Sequence, residues 1–349
     1  MKKLLGTSEV ELRSIVDEKI QELESRILEK DRILESYRRD HGVLDLFFRE
    51  VETHIDKTPP QPMLYKPVRK TSVGSPCAAV MHITDAHMGA IQIASEIEGF
   101  GEYSPEISRS RQMTFAKKII DWTETNRSAY TIPELHILVT GDLISGDIHE
   151  ELRITNAFPA PVQVVEAANV LSDQISMVAP HFEKVVVQFV SEDNHARLTK
   201  KPQAKEAGYN SFNYLVGYIA KERTSRLPNV IFNIYPQYEA VVNVMGRRYL
   251  LCHGHNVLGW GGFPWYGVER KIAREAVKRM NAPDCTKFHK VIGGHWHTPI
   301  CTPLYWFGGS VSGTDAYDHR SGRHSEPSQA AWMVHPVHTE FARTDFNLR

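Results

Sequence analysis

The stretch Ala79-Val80-Met81-His82-Ile83-Thr84-Asp85-Ala86-His87 decides how this chain is read. A short run rich in apolar side chains reads as a buried strand, and two metal-capable side chains, Asp85 and His87, follow it at once. The same arrangement recurs downstream. Leu135 to Val139 precedes Gly141-Asp142, and Val185 to Val190 precedes Asn194-His195. Tyr249-Leu250-Leu251-Cys252 precedes His253-Gly254-His255, and Val291-Ile292 precedes Gly294-His295-Trp296-His297. Side chains placed just past the C-terminal ends of strands gather along one sheet edge, where open α/β folds keep their sites. Two Asp, one Asn and four or more His form a nitrogen and oxygen donor set with room for two transition-metal ions.

Two ions about 3.5–4 Å apart clamp the attacking and leaving oxygens of an in-line displacement at phosphorus, and they lower the pKa of a bound water. One carboxylate must bridge them. Asp142 suits that place, because it sits on a separate Gly-Asp turn where glycine lets the backbone approach closely. Asn194 supplies a neutral ligand that preserves Lewis acidity, and His195 beside it is free to point at the phosphoryl group. Hydrolysis of a phosphate ester by a metal-activated hydroxide is the leading chemistry.

The order Asp-x-His, Gly-Asp, Asn-His, His, Gly-His-x-His resembles the calcineurin-like metallophosphoesterase superfamily over roughly residues 77 to 310. The resemblance implies a two-sheet β-sandwich flanked by helices, of α/β class. It also implies one metal on Asp85, His87, Asp142 and His297, and a second on Asp142, Asn194, His253 and His295. His195 would stabilise the transition state or protonate the leaving oxygen. Mn²⁺ is the ion the resemblance suggests, while Fe, Zn and Ni accept the same ligands. Asp193-Asn194-His195-Ala196 departs from the family pattern, which has an acid after the histidine. Asp193 or a residue from elsewhere would then orient His195. His253 is preferred to His255 because it directly follows the strand. His41, His54, His136, His181, His289, His335 and His338 read as ordinary polar groups.

The chain has 349 residues, a net charge of −1 and 42% hydrophobic residues, enough for a sizeable core and no global basic footprint for nucleic acid. Cys77, Cys252, Cys285 and Cys301 show neither C-x-x-C spacing nor close pairing, so reduced thiols fit best. No stretch reaches the ~18 apolar residues of a membrane span. Glu9 and Glu11 interrupt the start before a signal-peptide core can form. A cytoplasmic protein with no membrane partner is the expectation.

Residues 1–56 differ from the rest. Val16, Ile20, Leu23, Ile27, Lys30, Leu34 and Tyr37 follow heptad spacing, and Leu44, Phe48, Val51 and Ile55 resume it. The spacing predicts a long N-terminal helix that self-associates as a coiled coil, packs back onto the catalytic domain, or docks on another protein. Residues 57–76 are a proline-rich linker, and 77–349 form the metallophosphoesterase domain.

Within that domain the sequence predicts helices over 108–125, 161–178, 210–223 and 268–280. It predicts strands over 230–235, 239–245 and 248–252, with a hairpin at Gly246-Arg247, and closing strands over 332–346. No Walker A loop or dinucleotide fingerprint is present. Arg197, Lys200, Lys201 and Lys205 follow Asn194-His195 and are placed to hold phosphates. The Gly/aromatic loop from Gly259 to Tyr266, with Trp260, Phe263 and Trp265, offers rings for unpaired bases. His149 is placed to touch substrate. Asp315, Tyr317, Arg320 and Arg323 are candidates to close the site opposite. Nucleic acid, DNA or RNA, is the leading substrate, and members that process DNA ends are the nearest functional analogues. Small phosphoesters or cyclic nucleotides are the competing substrates, and a scaffold with a weak metal site is the third reading.

Overall fold

The computed structural model describes residues 74–257 and 262–349, with positions 17, 19–21, 23–28 and 30–31 of the N-terminal segment. The chain divides into two units, Met1–Pro59 and Pro60–Arg349. In the first unit the described positions are helical and exposed, Ile20, Leu23 and Ile27 among them. The remaining positions named for the coiled coil (Val16, Leu34, Tyr37, Leu44, Phe48, Val51, Ile55), most of the linker, and Trp260 lie outside the described residues.

The second unit is mixed α/β, two sheets flanked by helices. The first sheet has the order β11-β10-β1-β2-β3-β4. Strands β1 (Ser75–Ile83), β2 (Tyr130–Val139), β3 (Lys184–Val190) and β4 (Val230–Tyr235) run parallel. They are joined through helices α1 (Pro105–Asn126), α2 (Glu150–Thr155), α3 (Ala160–Val178) and α4 (Phe212–Thr224). Parallel strands require such crossovers. The α1 boundary is set by sequence: the Ser104 hydroxyl accepts from the Ile107 amide and Pro105 opens the helix. Strand β10 (Ser328–His335) then adds antiparallel to β1, and β11 (Thr339–Asn347) to β10. β1 starts at Ser75, inside the stretch expected to be linker, with Pro76 tolerated in its first turn of pairing.

The second sheet has the order β5-β6-β7-β9-β8. β5 (Ala240–Val244) and β6 (Arg247–Leu251) form the expected hairpin, with the turn one residue earlier than expected. Val244 pairs with Arg247, and Met245 and Gly246 both take positive φ, 49° and 87°. That is the turn whose twist matches paired strands. β7 (Lys290–Gly293) and β9 (Tyr305–Phe307) run parallel to β6, and β8 (Ile300–Cys301) closes the edge.

The sheets face each other across one core. Ala78, Val80, Leu138 and Val190 of the first meet Val242, Tyr249, Leu251, Ile292 and Trp306 of the second. Trp332 on β10 is fully buried at the centre, its ring edge-on 5.1 Å from Trp306 and 5.9 Å from Tyr249. The alternate residues of β1, Ala79 and Met81, face the opposite side and are also fully buried. A helix α5 (Trp265–Lys278) covers the outer face of the second sheet through Val268, packed with Leu250, Val291 and Phe307. It begins three residues before the expected start, because Pro264 occupies the position preceding its first turn. A five-residue helix α6 (Ala316–Arg320) lies between β9 and β10. No described helix is long and apolar enough to cross a membrane.

Candidate metal centre

Every candidate ligand follows the C-terminal end of a strand: Asp85 and His87 after β1, Asp142 after β2, Asn194 after β3, His253 after β6, His295 and His297 after β7. The loops are tied together by main-chain bonds. The amide of Asp85 donates to the Gly141 carbonyl at 3.1 Å, that of His87 to Asp142 at 2.9 Å, and that of Gly294 to His253 at 2.9 Å. Gln329 of β10 acts as a side-chain strand. It accepts from the Thr84 amide and donates to the Thr84 carbonyl, both at 2.9 Å.

This lacing holds unusual backbone. Asp85, His87, Asp142, His295 and His297 all adopt left-handed φ, between 43° and 75°. Such conformations cost of order 1–3 kcal/mol each in a residue with a Cβ, and they cluster where function demands a particular side-chain direction. Gly294 is required for another reason: a Cβ there would overlap Thr84 Oγ1 and Asp85 Oδ2.

The result, among the described residues, is two neighbouring groups of donors joined by a third, with His297, Asp315 and Asp318 forming a fourth behind them. Asp85, His87 and His297 form one, and Asp142, His253 and His295 the other; within each, one ligand atom per residue lies within 4.8 Å of the others. Asp142 also groups with His87 and His195, so its carboxylate stands between the two sets. Nε2 of His87 lies 3.0 Å from Nε2 of His297. Two imidazole lone pairs at that distance repel unless a proton or a cation lies between them. His253 Nε2 is 2.9 Å from Asp142 Oδ2. Asn194 Oδ1 is buried with no hydrogen-bond partner among the described residues, while Asp142 Oδ2 and His253 Nε2 are buried with only each other. Buried orphan donors and acceptors of this kind are costly unless an ion or water engages them. The donor set, all nitrogen and oxygen, fits divalent cations.

Charge is organised the same way. Burial opposes protonation of His253, but the carboxylate of Asp142, with Asp85 behind it, outweighs burial and holds its pKa at about 10. His297 is held at about 10 against the same burial cost by Asp318, Asp315 and Asp85. Burial and the neighbouring histidines push His87 and His295 well below the usual range. Burial raises Asp142, yet His253 and His195 hold it well below the ordinary carboxylate value. A divalent cation competes directly for the positions those protons take.

His195 is oriented without the missing acid. Its Nδ1 lies 2.7 Å from the Ser145 carbonyl, which can only accept, so Nδ1 carries a hydrogen and Nε2 is left facing Asp142 Oδ2 at 3.9 Å. The approach needs Gly146, where a Cβ would overlap the His195 carbonyl. Asp193, considered above as a partner for His195, works on the main chain instead. It accepts from the amides of Asp142 at 2.9 Å and Ala196 at 2.7 Å, and from the Asn213 side chain.

A cavity of about 430 Å³ opens over the centre, lined by His149, Leu152, Asn194, His195, His295, Trp296, His297, Asp315, Tyr317 and Arg323. His149 is therefore brought to the site, its ring 5.9 Å from that of His195. Arg197, Lys200 and Lys201 are not among the lining residues; Lys200 pairs at 3.1 Å with Glu150. His255 pairs with Glu192 at 3.2 Å and lies outside the two ligand groups. Asp315, Tyr317 and Arg323 line the cavity, and Arg320 does not.

The residue the sequence did not suggest is Asp318, whose Oδ2 lies 2.7 Å from His297 Nδ1. Arg323 donates to its other oxygen from Nε at 2.9 Å and Nη2 at 2.6 Å. Burial would raise Asp318, but His297 and Arg323 outweigh it and keep the carboxylate ionised. A carboxylate behind a metal-binding histidine fixes its tautomer and raises its basicity.

No protein-family model matches the chain, and no curated protein matches it. Among solved structures, it is similar to Vps29 complexed with Zn+2 from Entamoeba histolytica at 13% identity, with a TM-score of 0.29 over 77% of this chain and 99% of that one. Vacuolar Protein Sorting 29 from Cryptosporidium parvum gives 14%, 0.33, 78% and 98%. A predicted phosphoesterase from Streptococcus pneumoniae gives 11%, 0.26, 51% and 90%. TM-scores this low carry no weight on function, which has to be read from this chain's own side chains.

Proposed function

We propose that the chain is a binuclear metal-dependent phosphodiesterase, with nucleic acid as its leading substrate. The observation that carries the reading is Asp142: one buried carboxylate shared between two groups of His and Asp donors. When bound, two divalent ions supply Lewis acidity at the phosphoryl oxygens and a water of lowered pKa. Mn²⁺ is the proposed ion, with Fe, Zn and Ni as alternatives the ligand set accepts.

The chain's own residues supply the rest. Asp85 and His297, fixed by Thr84 and Asp318, hold one side of the centre. His253 is fixed by its Nδ1 contact to the Thr140 carbonyl at 2.8 Å. His195, with its Nδ1 proton committed to Ser145, presents Nε2 to the cavity, placed to stabilise the transition state or protonate the leaving oxygen. Arg323 and His149 line the mouth, where substrate oxygens beyond the reacting phosphorus are met.

A second reading, a diesterase or phosphatase for small nucleotide esters, is favoured by the size of the cavity and by the absence of Arg197, Lys200 and Lys201 from its lining. We propose further that the exposed N-terminal helix joins two copies of the chain. The test of function is cleavage of end-labelled single- and double-stranded DNA in Mn²⁺, with bis(p-nitrophenyl) phosphate as a small diester and Asp142→Asn protein alongside. DNA products that disappear in the variant support the nuclease. Hydrolysis of the small diester alone supports the second reading, and no hydrolysis of either overturns both.

A further inference from the structure

Trp296 and Arg323 stand between the cavity over the metal centre and a neighbouring one. Both side chains also line this second cavity, of about 440 Å³, whose other walls include Phe263, Trp265, Ile300 and His324. Its aromatic wall is continuous. The Phe263 ring meets Trp265 at 4.7 Å and Trp296 at 5.6 Å, edge-on in both cases. Phe263 also packs on Tyr305 and Phe307 of β9, so the wall is anchored in the covered face of the second sheet.

One member of this wall is exposed. Trp265, the first residue of α5, is 54% exposed although its neighbours Trp296 and Tyr305 are buried. Part of the lining is polar. The Arg323 guanidinium is held by Asp318 and lies over the Tyr317 ring at 5.1 Å, and His324 stands beside it. An exposed indole in the same cavity as a fixed cation and an imidazole suits a flat ring with hydrogen-bonding edges. An alkyl chain would meet the rings and leave the polar lining unsatisfied.

We propose that this second cavity is a nucleobase subsite. It receives the base of the nucleotide whose phosphate sits at the metal centre, with Trp265 as the stacking face. The proposal deepens the phosphoesterase reading and rests on it for the position of the phosphate. Trp265 is then a specificity residue for either a polynucleotide or a small nucleotide ester, and removing it should weaken binding while leaving the phosphate site intact.

The test compares AMP with ribose 5-phosphate, which carries the same phosphate and sugar without the base, by isothermal titration calorimetry on the full chain in Mn²⁺. Stacking of one base predicts binding of AMP about 5- to 150-fold tighter. Trp265→Ala should abolish that preference with ribose 5-phosphate unchanged, and Trp265→Phe should restore part of it. Equal affinities in the wild-type protein, or a preference that survives Trp265→Ala, would overturn the subsite. So would binding of octyl phosphate as tight as that of AMP. If neither phosphate binds, the reading of the metal centre fails. Adenosine then decides the subsite alone: binding lost in Trp265→Ala supports it, and no binding overturns it.

Discussion

At His195 the chemistry turns on one carbonyl. Ser145 accepts from Nδ1 at 2.7 Å, so Nε2 is the nitrogen left facing the centre. His195→Ala is therefore expected to keep its metal content and lose turnover about 10²–10⁴-fold; metal analysis and phosphodiester hydrolysis measured together check this. Loss of an ion in that variant would make His195 a ligand instead. Asp318 acts through His297 rather than on substrate. Asp318→Asn keeps the shape but removes the charge behind the ring, and about 10–100-fold weaker metal binding is expected by equilibrium dialysis. Unchanged affinity would leave Asp318 a merely structural partner of Arg323. The candidate ligands were legible in the sequence because each follows its strand within a few positions. Ser145 and Asp318 were not, since they meet their histidines across 50 and 21 residues. No local pattern announces a carbonyl or a five-residue helix arriving from so far away.

Among the elements, the strands were readable from their apolar runs, and the β5–β6 hairpin from Gly246. Boundaries moved where a residue outside the periodicity intervened. Pro264 started α5 early, and Ser75 and Pro76 extended β1 by pairing with Tyr130 and Thr131. The short helix α2 escaped because none of its residues is buried, so it carries no apolar stripe. One buried group links elements and pH. His82 on β1 lies with Nε2 2.8 Å from Thr140 Oγ1 and edge-on to Trp332 on β10. Burial, assisted by Arg343, lowers its pKa to about 3. The unfolded chain therefore takes up this proton first as pH falls below about 6.5, and stability is lost progressively down to about pH 3. Between about pH 6.5 and pH 5 the loss from this group is about 2 kcal/mol. Urea unfolding of His82→Gln should lack that part of the slope, whereas identical pH dependence in both proteins would contradict the assignment.

For the whole molecule, two features extend beyond the metal centre. The covered face of the second sheet ends in an exposed tryptophan, in a cavity that shares Trp296 and Arg323 with the one over the candidate metal centre. The N-terminal helix carries Ile20, Leu23 and Ile27 exposed at 48%, 47% and 58%, spaced as a heptad seam. Apolar residues in that spacing ask for a second helix. Light scattering of the full chain is expected to give a dimer, and Leu23→Asp a monomer with unchanged phosphodiester hydrolysis. A wild-type monomer would show that the seam serves another partner. A net charge of −1 gave no hint of substrate. The recognition proposed here is local, built from rings and one guanidinium that come together only after the sheets have packed.

The central claim is that two ions share Asp142, and electron paramagnetic resonance of the protein titrated with Mn²⁺ tests it most directly. Two ions bridged by one carboxylate are magnetically coupled, so the spectrum at full loading should be that of a coupled pair, and Asp142→Asn should abolish it. An isolated-ion spectrum at every loading, with one ion bound per chain, would contradict the binuclear centre and the chemistry built on it.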